Sequence, residues 1–220
     1  MESYRTEEEQ VEAIKRWWSE NGRMIIIAVA VALSLGFGWQ AWQSNRQEQS
    51  LAASSLYQSM LQAMDSEDAA TAREATDRAE QLKSEFGSSV YARFAALHLA
   101  RLAVEDGDLA RAETEPRWAV SKADKSSDLH QVAQLRLARV TAARGDTDAA
   151  LALLERGSGT AYAGAYALAR GDILMAADRR EEANEAYLQA RGSLDAGQSP
   201  PLLSQKLQHL NPVSPRTSEQ

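Results

Sequence analysis

From Met24 to Asn45 the chain reads MIIIAVAVALSLGFGWQAWQSN, 22 residues without a formally charged side chain. At about 1.5 Å of rise per residue a helix of that length extends roughly 33 Å, enough to cross a hydrocarbon core of about 30 Å. Without water the backbone must satisfy its own hydrogen bonds, and a helix is the one-segment solution. The apolar residues from Met24 to Phe37 cover every side, leaving no polar face of the kind a soluble core helix shows. Trp39 and Trp42 close the far end, where indole rings suit the headgroup boundary. A cleavable secretory signal would also begin with basic residues and an apolar run. Here the leader is long and acidic, and the bulky rings of Gly38-Trp39-Gln40-Ala41-Trp42 stand where a small-residue cleavage site would lie. The sequence predicts an uncleaved, single transmembrane helix at residues 24–45.

Basic residues beside a span set its orientation, and acids count for little. Arg5, Lys15, Arg16 and Arg23 precede it, whereas Arg46 alone follows within about twenty residues. The N-terminus is therefore expected in the cytoplasm and the bulk of the chain outside it, in the periplasm of a bacterium. With no cysteine the outer part cannot use disulfides, so its stability has to come from packing. Within the span Ala28, Ala32 and Gly36 share a helix face, and small residues at that spacing admit a second helix. The leader, residues 1–23, predicts a short amphipathic helix. Thr6 with Glu9 reads as a capping box and Asn21-Gly22 as a stop. Val11, Ile14 and Trp18 recur at helical spacing beside Trp17, with Lys15 and Arg16 placed to meet lipid phosphates.

Beyond Arg46 the chain carries 19 Lys and Arg against 25 Asp and Glu, interspersed and without a basic block. Nucleic acid is a poor partner for such a surface. Ala, Leu, Arg and Glu dominate, which favours an all-α domain over residues 46–210. Turns recur at Gly107-Asp108, Gly145-Asp146 and Asp178-Arg179. Aligning Leu99, Leu137 and Arg170 gives a period close to the roughly 34 residues of tetratricopeptide helical hairpins. Ala100, Ala138 and Gly171 then fall where the first helix must admit its partner. Ala112, Ala150 and Ala183 fall at the small site of the second helix, and Leu154 and Tyr187 at its large site. Pro116 occupies that large site in the earlier unit, where it is expected to end or kink the helix. Residues 54–86 read as another hairpin with its turn at residues 65–68, preceded by a short link at Gln47–Leu51. Residues 201–210 read as a terminal cap with an apolar stripe among Leu202, Leu203, Lys206, Leu207 and Leu210. The tail, residues 211–220, is polar and proline-containing and reads as disordered.

No metal-ligand cluster, phosphate-binding glycine loop or nucleophile elbow occurs in the sequence. His98, His130 and His209 are scattered, and the acids Asp106, Asp108, Asp146 and Asp148 flank turns where Asp suits a helix N-cap. These features argue against an enzyme, and no cofactor is implied.

The leader QVEAIKRWWSENG, a single span ending in GWQAW, and divergent tetratricopeptide-like hairpins that include LRLARV at Leu135–Val140 together resemble the YfgM family of ancillary SecYEG translocon subunits. The resemblance covers nearly the whole chain apart from the tail PVSPRTSEQ. It implies a bitopic inner-membrane protein that pairs near the SecYEG translocon with PpiD, a membrane-anchored peptidyl-prolyl isomerase. It further implies a chaperone-like adaptor that assists exported polypeptides, and a cytoplasmic link to a stress-response phosphorelay protein. The competing expectation is a structural assembly factor that binds one fixed envelope-complex partner. In tetratricopeptide arrays the first helices line the concave side, which in this register holds Phe94, Leu97, Arg101 and Val104, then Val132, Leu135 and Arg139, then Leu168 and Met175. Apolar side chains interrupted by guanidinium groups suit an extended or partly unfolded segment.

Overall fold

A helix whose apolar residues form one stripe cannot hide that stripe alone, so a chain built of such helices has to stack them. The computed structural model describes residues 7–65, 69–157, 161–194 and 201–210, and among these the regular structure is entirely helical. The chain divides into two compact units, Met1–Ala52 and Ala53–Gln220.

The first helix, α1 (Glu7–Met64), runs 58 residues without interruption. It passes through Asn21-Gly22 and through Gln47–Leu51, so neither the expected stop nor the expected link exists. A helical glycine costs only about 1 kcal/mol relative to alanine, too little to end a helix supported on both sides. The Asn21 amide donates to the Trp17 carbonyl at 3.1 Å inside the helix, and the Trp18 indole lies where a Cβ at Gly22 would meet it at 3.1 Å. Thr6, expected to cap this helix, lies outside the described residues. No residue of the stretch from Met24 to Asn45 is buried. Among the described residues α1 is the one helix long and apolar enough to cross a membrane.

The second unit begins with the last turns of α1 and continues through α2 (Ala69–Glu85), α3 (Val90–Glu105), α4 (Leu109–Lys122), α5 (Asp128–Ala143), α6 (Thr147–Glu155), α7 (Ala163–Ala176), α8 (Arg180–Ser193) and α9 (Pro201–Leu210). Consecutive helices pack on one another as hairpins. Ala53, Met60 and Ala63 of α1 share a core with Ala75, Ala79 and Leu82 of α2 and with Ala92, Ala95 and Leu99 of α3. The last turns of α1 and α2 thus pack together as expected for residues 54–86, with Arg78 Nη1 donating to the Ser59 carbonyl at 2.7 Å; most of the turn expected at residues 65–68 lies outside the described residues.

Small residues sit where helices approach most closely. Ala112, Ala138, Ala150 and Ala183 are fully buried, and a Cβ at Gly171 would stand 2.4 Å from the Tyr187 ring. The first two turns use Gly107 and Gly145 at φ 78° and 94°, followed by Asp108 and Asp146, whose carboxylates accept the backbone N–H of Arg111 and Ala149. The third turn places Asp178 at φ 57°, and Arg179 at its N-cap supplies no side-chain acceptor.

The expectation that Pro116 ends its helix does not survive. Pro116 lies inside α4, which continues to Lys122. Its ring is buried, and Trp118 two residues on packs against the cores on both sides of α4, so packing holds the helix across the missing N–H. Arg170, aligned with the buried Leu99 and Leu137, is exposed. The expected cap does form: Leu203 and Leu207 of α9 are buried against Leu174, Ala183 and Tyr187, with Leu210 beside them, while Leu202 stays exposed. The tail expected to be disordered, residues 211–220, lies outside the described residues.

These seams generate two predictions. A fragment starting at Gln47 should fold as a soluble helical domain, and in it Ala150→Arg should cost about 3 kcal/mol or more, because a charge without a partner enters the hairpin seam. Urea unfolding followed by circular dichroism reads this out, and an unchanged midpoint contradicts the seam. In the same assay Asp178→Gly should gain about 0.5 kcal/mol by removing a left-handed non-glycine residue, whereas Gly145→Ala should lose about 1 kcal/mol.

Candidate functional site

At 100° per residue, Phe94, His98 and Arg101 of α3 fall within one arc of the helix, as do Val132, Arg136 and Arg139 of α5. The two sets are equivalent positions of consecutive hairpins. Leu97 and Leu135 lie about 60° to one side, turned toward the next hairpin, and are 3% and 9% exposed. Leu97 packs with Ala96, Ala119 and Ala133, and Leu135 with Ala138, Ala150, Leu154, Tyr166 and Ile173. Both belong to the core, so they leave the surface in which the sequence placed them. Val132 is half-buried beside Leu97. Phe94 and Val104 keep 39% and 47% of their surface exposed. Arg101 pairs with Glu105 at 2.8 Å on the exposed face of its own helix, an arrangement worth little in water. Arg139 is exposed and has no ion pair among the described residues.

Three residues that sequence reasoning missed complete this face. The Tyr57 hydroxyl and His98 Nε2 are hydrogen-bonded at 3.2 Å, and the Tyr57 ring lies 5.5 Å from Tyr91 and 6.1 Å from Phe94 between centroids. Arg136 donates from Nη1 to the Leu97 carbonyl at 3.4 Å, tying α5 to α3. Burial lowers the His98 pKa, and the neighbouring Arg101 and Arg136 push it down further. His98 is thus a neutral partner for Tyr57, and the charge of the face comes from guanidinium groups. The 38-residue equivalence of His98 and Arg136 was legible in the sequence; Tyr57 was not, because its hairpin carries almost no repeat signature.

In the third hairpin Asp172 takes the place of Arg139. It accepts the Tyr187 hydroxyl at 2.8 Å and is ion-paired with Lys206 of α9. Burial and the Asp172 charge raise the Tyr187 pKa. Leu168 and Met175 are half-buried against this core. Met175 also lines a cavity of about 220 Å³ with Tyr187, Leu202, Gln205, Lys206 and His209. In the first unit Ala28, Ala32 and Gly36 are exposed along one side of α1, and nothing lies within 4 Å of a Cβ at Gly36. No group of three or more His, Asp and Glu able to hold a metal occurs among the described residues.

A tetratricopeptide repeat-like domain model matches residues 15–212. The chain is 31% identical over 187 residues to the ancillary SecYEG translocon subunit of Haemophilus influenzae, covering 85% of this chain and 89% of that protein. It is 33% identical over 190 residues to the protein of that name from Aggregatibacter actinomycetemcomitans, covering 86% and 91%. For the Escherichia coli protein of that name the figures are 31% over 188 residues, covering 85% and 88%. No solved structure matches the chain.

The His98 environment has a pH signature. Its folded pKa lies below the ordinary value of 6.5, so below that value the unfolded chain takes up the proton first and the fold loses stability, until pH falls past the folded pKa. Between about pH 7.5 and about pH 5.5, His98→Gln should therefore lose less stability than the wild type. Urea titrations at the two pH values measure the difference, and equal losses would remove His98 as the source.

Proposed function

The chain belongs to the tetratricopeptide repeat-like family of ancillary SecYEG translocon subunits, and from this premise we propose that it is a single-pass inner-membrane protein that associates with the SecYEG translocon. Two structural features support the reading: the exposed apolar stretch of α1, and an array of stacked helical hairpins whose first helices leave Phe94 and Val104 exposed. The basic residues Lys15, Arg16 and Arg23 before the span, against Arg46 after it, support a cytoplasmic N-terminus and an extracytoplasmic hairpin domain. In that position the domain meets polypeptides as they leave the translocon, as a chaperone-like adaptor working beside the membrane-anchored isomerase PpiD. The observation that carries this function is the α3–α5 face, where Phe94 and Val104 are exposed next to Arg101, Arg136 and Arg139. Apolar contact with interspersed guanidinium groups suits unfolded chains of varied sequence.

Protease added to spheroplasts should digest the hairpin domain and spare a tag on the leader; protection of the domain would reverse the orientation. In the same cells, photocrosslinkers at Phe94 and Val104 should capture translocon components and many exported chains. Capture of a single folded protein would instead identify an assembly factor.

A further inference from the structure

Charge is segregated within the hairpin array. The second helices α2, α4, α6 and α8 carry eight Lys and Arg against eleven Asp and Glu, whereas α3, α5, α7 and α9 carry six against three. Of those three acids, Asp172 is already held by Tyr187 and Lys206, and Glu105 faces Arg101. The domain as a whole is acidic, yet the α3–α5 face is basic. Its aromatic flank is assembled in advance: Tyr57 is fixed by His98 and stacked among Tyr91 and Phe94. Arg136 is held by the Leu97 carbonyl, and Arg139, one turn on, stands without a counter-charge among the described residues.

We infer that Phe94, Tyr57, Arg136 and Arg139 form a docking strip selective for an extended acidic polypeptide segment, one in which Asp or Glu and apolar side chains share one face at even spacing. This rests on the reading that the domain engages polypeptides, and it names the chemistry of what is engaged. Spacing matters because successive side chains of an extended chain point to opposite sides, so that residues i and i+2 share a face. A carboxylate can meet the Arg139 fork in two parallel hydrogen bonds, while an apolar side chain an even number of residues away, on the same face of the segment, lies on the Phe94 ring. A basic segment meets like charge and is rejected, and a neutral one forgoes the guanidinium contact.

The test uses the full-length protein in a neutral detergent and fluorescence anisotropy of three labelled peptides of one length, with Ser at every second position and the positions between filled by Leu in turn with Glu, with Gln or with Lys. The Glu peptide should bind about tenfold more tightly than the Gln peptide and lose affinity as salt is raised, and the Lys peptide should not bind. Arg139→Glu should abolish the preference for Glu over Gln with an unchanged circular dichroism spectrum. Arg139 is the residue of choice because it is exposed and makes no ion pair among the described residues, so its replacement should leave the fold intact; Arg139→Lys should retain part of the preference. Equal binding of the Glu and Lys peptides, an unaltered preference in Arg139→Glu, or binding to vesicles of anionic lipid with none to the Glu peptide would each overturn the assignment. Copurification of the Arg139→Glu protein with SecYEG separates the two readings: loss of peptide preference with copurification intact upholds the strip, whereas failure of the wild type to copurify defeats the translocon reading and leaves the peptide result standing.

Discussion

Every helix of the second unit depends on close approach of its neighbours across positions that tolerate almost no side chain. Ala112, Ala138, Ala150 and Ala183 are buried completely, and Gly171 meets the Tyr187 ring where even a methyl group would collide. Interiors pack at crystal-like density, so a seam of this kind is set by volume more than by chemistry. Large side chains fill the spaces that the small ones leave. Tyr166 reaches across from α7 to donate its hydroxyl to the Gln131 carbonyl of α5 at 2.8 Å, and burial raises its pKa to about 12. It therefore stays protonated, and donating, throughout the physiological range.

That constraint explains what could be read from the sequence. Small residues at Ala112, Ala150 and Ala183 repeat because the seam repeats, and they gave the hairpin register, while composition gave the all-α class and Gly107-Asp108 and Gly145-Asp146 gave the turns. Rules of local helix chemistry did less well. Pro116 and Gly22 are breakers by propensity, but each sits in a helix that packing or length sustains, and tertiary context outweighs a penalty of a few kcal/mol. Burial on the face of a first helix was the least legible property. Leu97 differs from Phe94 by a 60° turn about the axis, and only the arrival of the next hairpin decides which of the two is covered. The Tyr57 to His98 bond joins residues 41 apart across a hairpin of weak signature, so no periodicity pointed to it.

The same geometry gives the array two chemically distinct sets of helices. Second helices interleave acids and bases on one helix, as in the Arg78–Glu74 and Arg117–Glu113 pairs. Arg139 of a first helix has no ion pair among the described residues. A surface whose charges are already matched has little to offer a ligand, whereas an unmatched one retains a long-range field that guides encounter.

The α9 helix gives this array an end. Leu203 and Leu207 lie on Leu174, Ala183 and Tyr187, and Lys206 engages Asp172 and lies 5.6 Å from the centre of the Tyr187 ring. An open stack of like units has no intrinsic length: its last face matches the underside of another unit, and growth from chain to chain is blocked only if that face is sealed. Ten residues of α9 do the sealing. They cover the apolar face of the α7–α8 hairpin, so that Leu174, Ala183 and Tyr187 are kept from water by this chain's own residues.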